Sequence, residues 1–132
     1  MDATNLRAVT ALFLMCLAVL ARGAHAAPPR HCTITGTPGA EVIIGSTGND
    51  VICALGGNDK IDGGLGNDVI YGGPGNDVIE GESGRDTLYG GPGNDTILAW
   101  DGMADVIDGG PGKDRAFHDK TLDKVRNVER FG

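Results

Sequence analysis

The sequence has few aromatic residues, few cysteines and, beyond its first 26 residues, no long hydrophobic run. Aromatic side chains make up 5% of the 132 residues, whereas glycine occurs 23 times. A chain of this length has room for one small domain, and so few large side chains cannot fill a conventional globular core. The composition therefore excludes two domains and requires another source of stability.

Basic residues are scarce in the middle of the chain. Residues 36–112 contain thirteen acidic side chains against Lys60 and Arg85, whereas residues 113–132 contain six basic and four acidic side chains. The acidic middle would repel nucleic acid and anionic membranes and would attract cations. We therefore expect cations, and no nucleic acid, as partners.

The first 26 residues have the pattern of a signal peptide. Arg7 precedes an apolar run over residues 8–20, and small residues lead to a predicted cleavage after Ala26. The run is short for a transmembrane anchor across about 30 Å of hydrocarbon, and a lipid anchor on Cys16 is the weaker alternative. We expect a secreted, extracellular protein with no transmembrane segment in its mature chain.

Cleavage would leave two cysteines, Cys32 and Cys53. An even pair in an oxidising compartment favours a disulfide, with two unpaired thiols as the alternative. In the chain-entropy model, a loop of about twenty residues contributes roughly 3 kcal/mol to stability.

From Gly36 the chain repeats every nine residues, except for a ten-residue unit over residues 99–108. The fourth position is glycine in every unit: Gly39, Gly48, Gly57, Gly66, Gly75, Gly84, Gly93, Gly102 and Gly112. The sixth, or the seventh in the ten-residue unit, is acidic: Glu41, Asp50, Asp59, Asp68, Asp77, Asp86, Asp95, Asp105 and Asp114. The eighth, or the ninth in the ten-residue unit, is apolar: Ile43, Ile52, Ile61, Ile70, Ile79, Leu88, Ile97, Ile107 and Ala116.

Each unit predicts one short strand and one glycine-rich turn. In a strand such as Val69-Ile70-Tyr71 the central side chain points to one face and its neighbours to the other. Two units make a coil of eighteen residues, and coils stacked about 4.8 Å apart would place the isoleucines inside. One isoleucine at roughly 2 to 3 kcal/mol falls far short of ordering nine residues at about 1.5 kcal/mol each. Stacked aspartates add repulsion, so the roll needs a counter-ion.

The repeat resembles the RTX nonapeptide G-G-x-G-x-D-x-U-x, in which U is a large apolar residue. The cleanest copies are Gly72 to Glu80 and Gly90 to Leu98. The resemblance implies an all-β, right-handed parallel β-roll, a β-helix or solenoid with two repeats per coil. Its expected parts are an N-terminal cap at 27–35, the roll at 36–117 and a short C-terminal cap at 118–132.

The resemblance also implies calcium ions, about four and as many as five or six, between stacked turns. Ca²⁺ takes six to eight oxygen ligands, whereas Mg²⁺ fits a carbonyl-rich cage poorly. The implied bridging pairs are Asp50 with Asp68, Asp59 with Asp77, Asp68 with Asp86, and Asp77 with Asp95. Asp105 and Asp114 complete the carboxylate candidates. The implied turn ligands are Gly45, Thr47, Ala54, Gly56, Gly63, Gly64, Leu65, Gly66, Gly72, Gly73, Pro74, Gly75, Gly84, Gly91 and Gly93.

Departures from the repeat predict where the pattern weakens. Glu41 is one methylene too long for a tight turn, so a first ion site there is doubtful. The extra residue in unit 99–108, which contains Trp100 and Asp101, is expected to weaken sites that use Asp105 and to shift Asp114.

The sequence also predicts features at the two ends of the roll and on one of its broad faces. A Cys32–Cys53 disulfide would pin the first coil, and Leu122, Val125, Val128 and Phe131 would form a basic amphipathic lid, with a binding tail as the alternative. Tyr71 and Tyr89 should stack one rung apart. Their face would contact a protein, a glycan or another copy, or would reflect only the β-propensity of exposed strand positions.

Catalysis finds little support in the sequence. His31 and His118 lie at opposite ends of the repeats, and no zinc spacing, phosphate loop or dinucleotide fingerprint occurs. We predict a non-enzymatic, secreted calcium-binding protein that folds on binding the ion. The alternatives are an adhesion or interaction module that calcium rigidifies and, less favoured, the remnant of a secreted RTX enzyme.

Overall fold

A computed structural model describes residues 31–131, and within this range every regular element is a short β-strand. None of these residues belongs to a helix long and apolar enough to cross a membrane. The strands are β1 (Ile34–Thr35), β2 (Val42–Ile44), β3 (Val51–Cys53), β4 (Lys60–Asp62), β5 (Val69–Tyr71), β6 (Val78–Glu80), β7 (Thr87–Tyr89), β8 (Thr96–Ala99), β9 (Val106–Asp108), β10 (Arg115–His118), β11 (Lys124–Arg126) and β12 (Arg130–Phe131). The predicted signal peptide, with the lipid-anchor alternative at Cys16, lies outside the described residues.

The strands form two six-stranded parallel sheets, one from the odd-numbered strands and one from the even-numbered strands. Consecutive strands therefore alternate between the sheets, and each strand pairs with the strand one coil away. Ile52 lies beside Ile70 and Ile61 beside Ile79, a register of eighteen residues. The predicted parallel β-roll with two repeats per coil is confirmed.

The apolar core is one column of aliphatic side chains between the sheets. In the strands the middle residue points inward, as the alternation of side chains requires, and its neighbours point outward. The fully buried members are Ile52, Ile61, Ile70, Ile79, Leu88, Ile97 and Ile107. The predicted inner column is confirmed, and β8 adds a second buried core side chain, Ala99, to it.

The ten-residue unit is absorbed without breaking the ladders. Leu88 pairs with Ile107 and Ile97 with Ala116, so the register becomes nineteen residues across the insertion. The extra residue lies outside the ladder, where Trp100 is 75% exposed. The expected displacement of Asp114 does not occur in this fold.

Both ends of the roll are fastened. At the front, Cys32 and Cys53 form the predicted disulfide, with Cα atoms 5.9 Å apart. At the back, the residues predicted as a lid continue the roll, because β11 pairs with β9 and β12 with β10. Val125 and Val128 pack against the core, whereas Leu122 is 47% exposed.

Candidate metal centre

The turns of the roll approach each other too closely to carry side chains at certain positions. Gly75 has φ of 145°, and a Cβ atom there would lie 1.7 Å from the Gly57 carbonyl oxygen. Glycine enters this region of φ at little steric cost. The Gly75 amide in turn donates to the Pro92 carbonyl at 2.9 Å, so the glycines at the fourth position let successive turns stack in direct contact.

One oxygen of each turn aspartate fastens that turn to the previous coil. The Asp59 amide donates to Asp77 Oδ1 at 2.9 Å, and the Asp77 amide donates to Asp95 Oδ1 at 2.8 Å. On the other edge the same ladder joins Asp50, Asp68 and Asp86. Across the insertion, Asp105 and Asp114 accept from Asp86 and Asp95, both at 2.8 Å. The stacked acidic columns are therefore regular through the insertion.

The second oxygen of these aspartates is buried and makes no hydrogen bond within residues 31–131. These Oδ2 atoms belong to Asp59, Asp68, Asp77, Asp86, Asp95, Asp105 and Asp114. A buried ionised oxygen without a partner is strongly unfavourable. Seven such oxygens in register indicate a missing positive partner, because native proteins leave few buried polar atoms unsatisfied.

Main-chain carbonyl oxygens lie close to these unbonded aspartate oxygens. A Cβ atom at Gly72 would lie 2.5 Å from Asp77 Oδ2 and 2.6 Å from the Gly90 carbonyl oxygen. At Gly90 the corresponding distances are 2.4 Å to Asp95 Oδ2 and 2.5 Å to the Gly109 oxygen. Glycine thus leaves a cradle in which carboxylate and carbonyl oxygens from two turns meet. Such an all-oxygen donor set suits Ca²⁺.

The electrostatics of these carboxyl groups match that geometry. Burial raises the pKa of Asp77 and of Asp105 to about 6, and that of Asp86 and of Asp95 to about 7. Burial is the largest cause; the backbone hydrogen bond opposes it and the carboxylates in the same stack add to it, and these values include all three. Without a cation, the middle of the roll therefore resists carrying its full negative charge.

The family model for the RTX calcium-binding nonapeptide repeat (four copies) matches residues 35–70 and 71–102. The two segments cover 68 of the 132 residues. The chain belongs to the RTX calcium-binding nonapeptide repeat family. No curated protein and no solved structure matches the chain significantly.

The acidic side chains in the first turns of the RTX array are hydrogen-bonded differently from those in the middle turns. Asp50 Oδ2 accepts hydrogen bonds from the Ser46 amide at 2.7 Å and the Ser46 hydroxyl at 2.8 Å. These bonds hold the pKa of Asp50 below its usual value. Glu41 is satisfied in the same way by the amide of Thr37 at 2.7 Å. Here the protein itself supplies the donors that the middle turns lack.

The predicted ligand residues all lie in the stacked turns, but they are not equivalent. Each turn aspartate from Asp59 to Asp114 that accepts from a neighbouring coil has a second, buried oxygen without a hydrogen bond, whereas Asp50 has both oxygens bonded within the protein. The glycines and carbonyl donors predicted with them occupy the same turns. Ligation by this set, and the number of ions, stay predictions.

Sequence reasoning missed two features of these turns. The asparagines at the fifth position form ladders, in which the Asn76 amide donates to Asn58 Oδ1 and the Asn94 amide to Asn76 Oδ1, both at 2.9 Å. The acidic column also continues to Asp123, whose Oδ1 accepts from the Asp105 amide at 3.0 Å. The signal for Asp123 was available, because it follows Asp105 by eighteen residues and precedes Val125 by two.

Proposed function

We propose that this protein binds calcium ions between its stacked turns and folds as it binds them. The observation that carries the proposal is the row of buried aspartate oxygens without hydrogen-bond donors, beside carbonyl oxygens of the next turn. Family membership supports the same conclusion. The bound ion would supply positive charge beside these buried oxygens.

The residues proposed to hold each ion come from two turns on one edge. In the best-formed sites the carboxylates of Asp59 and Asp77, or of Asp77 and Asp95, would be shared between neighbouring ions. The thin core explains why folding should depend on this binding. An ion that binds only the folded roll stabilises it by mass action, and a site absent from the unfolded chain makes binding energy into folding energy.

Secretion completes the proposal. A chain that requires abundant calcium to fold would remain unfolded where calcium is scarce and would fold outside the cell. The disulfide between Cys32 and Cys53 supports an oxidising compartment. The N-terminal segment over residues 1–26 supplies the proposed export signal.

The direct test is far-UV circular dichroism of residues 27–132 during a calcium titration, with magnesium as the matched control. We expect β-structure to appear between micromolar and millimolar calcium, and little change at equal magnesium. A chain that is fully folded in chelator, or that responds equally to both ions, would contradict the proposal.

A second candidate function is an interaction module that calcium rigidifies. The Tyr71 and Tyr89 rings are stacked, with centroids 4.8 Å apart and an interplanar angle of 14°, as predicted. Stacked half-buried aromatics on a sheet face could contact a protein, a glycan or a second copy. Replacing both tyrosines by serine should then abolish self-association or glycan binding, measured by sedimentation and glycan-array binding, while leaving the calcium response intact.

Neither the histidines nor the repeated carboxylates of the described residues indicate a catalytic site. His31 is exposed at the front and His118 lies in β10 at the back, and the regular carboxylates are explained by metal. We therefore propose a non-enzymatic protein. Hydrolysis of a peptide, ester or glycoside substrate by the calcium-loaded chain would contradict this.

A further inference from the structure

The first strand of the even-numbered sheet, β2, has an open edge. Among residues 31–131, β4 is the one strand that pairs with it. The two outward side chains of β2 are apolar and lie in solvent, because Val42 is 72% exposed and Ile44 is 67% exposed. An exposed apolar edge strand is a template on which another strand can pair.

The strands at the back of the roll are protected against such pairing. The last strands of the two sheets are β11 and β12, and they contain the basic residues Lys124, Arg126 and Arg130. Charged side chains on an edge strand oppose pairing with another chain. At the front, residues 31–49 contain no lysine or arginine and a single carboxylate, that of Glu41. The two ends of the roll therefore differ, and the front is the end that is open to pairing.

The chain that remains after the predicted cleavage is too short to cover this edge with another coil. Strands of one sheet are eighteen residues apart, so a strand beside β2 would come from residues 24–26, which cleavage after Ala26 would remove. The residues left before Cys32 are 27–31. Pro28 and Pro29 among them have no amide hydrogen to donate to a strand ladder. The strand that pairs with β2 is therefore expected from another molecule.

The open edge is complementary to itself. If the β2 strands of two copies paired antiparallel about Ile43, then Val42 of each copy would lie opposite Ile44 of the other, and Ile43 would lie opposite its own equivalent. Residues opposite each other in antiparallel strands point to the same face. The buried Ile43 side chains would therefore meet between the sheets, and the inner columns of the two rolls would be continuous.

The charges beside β2 fit the same arrangement. In β4, Lys60 pairs with Val42 and Asp62 pairs with Ile44. Each outward row of the joined sheet would therefore run from Lys60 and Val42 of one copy to Ile44 and Asp62 of the other. An apolar pair would lie at the centre of each row, with opposite charges on its two sides. Such matching of a surface with itself is what a two-fold interface requires.

We propose that two copies of the protein join front to front through the open edge of β2 and form a two-fold symmetric dimer. The proposal goes beyond calcium binding and requires only a folded roll. Because the edges at the back are charged, association stops at two copies and does not continue into a filament.

Sedimentation velocity of residues 27–132 in saturating calcium measures this association, with circular dichroism of the same sample to show that the roll is folded. We expect a dimer that dissociates to a monomer on dilution. A folded monomer at every concentration, or assemblies that grow beyond the dimer, would overturn the proposal and leave calcium binding intact. A chain without β-structure in calcium would refute the proposed function, and the dimer with it.

Ile44→Lys is the variant that should break the dimer. It places a charge within the apolar pair, so we expect the dissociation constant of the dimer to rise at least roughly tenfold. Val106→Lys is the matched control, since Val106 is also an outward strand residue, 36% exposed, but lies in β9 between β7 and β11. It should leave the dissociation constant unchanged. An unchanged constant in Ile44→Lys, or an equal rise in both variants, would overturn the proposal.

Cysteine cross-linking tests the register of the two strands. Residues directly opposite in antiparallel strands have Cα atoms about 4.5 to 5.5 Å apart, which suits a disulfide. A mixture of the Val42→Cys and Ile44→Cys chains should therefore give a cross-linked dimer under mild oxidation, and each variant alone should give little. Equal cross-linking by either variant alone would overturn the two-fold pairing about Ile43.

Discussion

The aspartate at the sixth position of the repeat is bonded differently in the middle of the roll and in its first turns. In the middle, Asp77 has one oxygen bonded to the previous coil and one buried oxygen without a donor. At the front, Asp50 accepts from the amide and hydroxyl of Ser46, four residues earlier in its own turn. Burial raises the pKa of Asp77, whereas the Ser46 hydrogen bonds lower that of Asp50.

The second position of the turns differs in backbone conformation between these two regions. Gly73 and Gly64, at the second position of middle turns, have positive φ, and a Cβ on either would meet a carbonyl of the turn one coil earlier. Ser46 and Thr37, at the same position of the front turns, do not have positive φ. Their amides turn toward their own carboxylates. The front turns thus satisfy their carboxylates with protein donors, whereas the middle turns leave one buried oxygen of each aspartate without a donor.

Gly75→Ala is the substitution that we expect to destabilise the middle of the roll most. Its methyl group would meet the Gly57 carbonyl at 1.7 Å with φ of 145°, so the two coils could not stack. We expect a loss of more than roughly 4 kcal/mol, seen as no calcium-induced β-structure. Gly102→Ala is the control: φ there is 84° and the methyl group would meet nothing within 4 Å, which predicts about 1 to 2 kcal/mol. Equal losses in urea unfolding would contradict the stacking argument.

Removing the carboxylates directly sharpens the same comparison. Asp77→Ala would take a ligand from two neighbouring sites, so we expect about two fewer bound ions and a large rise in the calcium needed for folding. Asp50→Ala removes a carboxylate whose oxygens are bonded within the protein, and should cost at most about one ion. Isothermal titration calorimetry measures both quantities. A stoichiometry that falls more in Asp50→Ala would refute the contrast between the regions.

The regular parts of this fold could be predicted from sequence because each depends on a strict period. The inner column from Ile52 to Ile107, the Cys32–Cys53 disulfide and the Tyr71–Tyr89 stack all follow from two repeats per coil. The effect of the insertion was harder to predict, because the sequence does not indicate whether an extra residue interrupts a strand ladder or bulges out of it.

The bonding of individual carboxylates could not be predicted, because it depends on contacts between coils. Leu55 and Glu82 adopt positive φ at the second position although such a conformation costs a non-glycine residue about 1 to 2 kcal/mol. Ser46 in the same position does not. Residue type alone does not fix the backbone conformation at this position. The donor for Asp50 therefore became visible only in the folded chain.

The two ends of the roll should contribute unequally to its stability. Cys32→Ser with Cys53→Ser removes the disulfide at the front and should cost about 3 kcal/mol in the chain-entropy model. At the back, the 63% exposed Arg126 pairs with the buried Asp108 at 2.9 Å; Asn127 still donates to the other Asp108 oxygen, so Arg126→Ala should cost about 1 to 2 kcal/mol. Urea unfolding in saturating calcium measures both. A greater loss at the back would show that the last coil limits stability.

Acidification should stabilise the metal-free middle while weakening calcium binding. The pKa values of Asp86 and Asp95 rise to about 7 in the roll, far above about 3.9 in an unfolded chain. Between these values the folded state binds more protons, so its stability is present at low pH and is lost as pH rises toward 7.

The measurement is circular dichroism in chelator at pH 5 and pH 7.5, followed by calcium titrations at both. We expect more β-structure without metal at pH 5, and a higher calcium midpoint there, because protons compete with the ion for the same carboxylates. Asp50→Asn is the control. The pKa of Asp50 is lowered in the fold, so the stabilisation from Asp50 is lost only below the usual range of an aspartate. Its contribution to stability should therefore not change between these two pH values. β-structure in chelator that increases from pH 5 to pH 7.5 would mean that the buried carboxylates of the middle are not the groups that oppose folding.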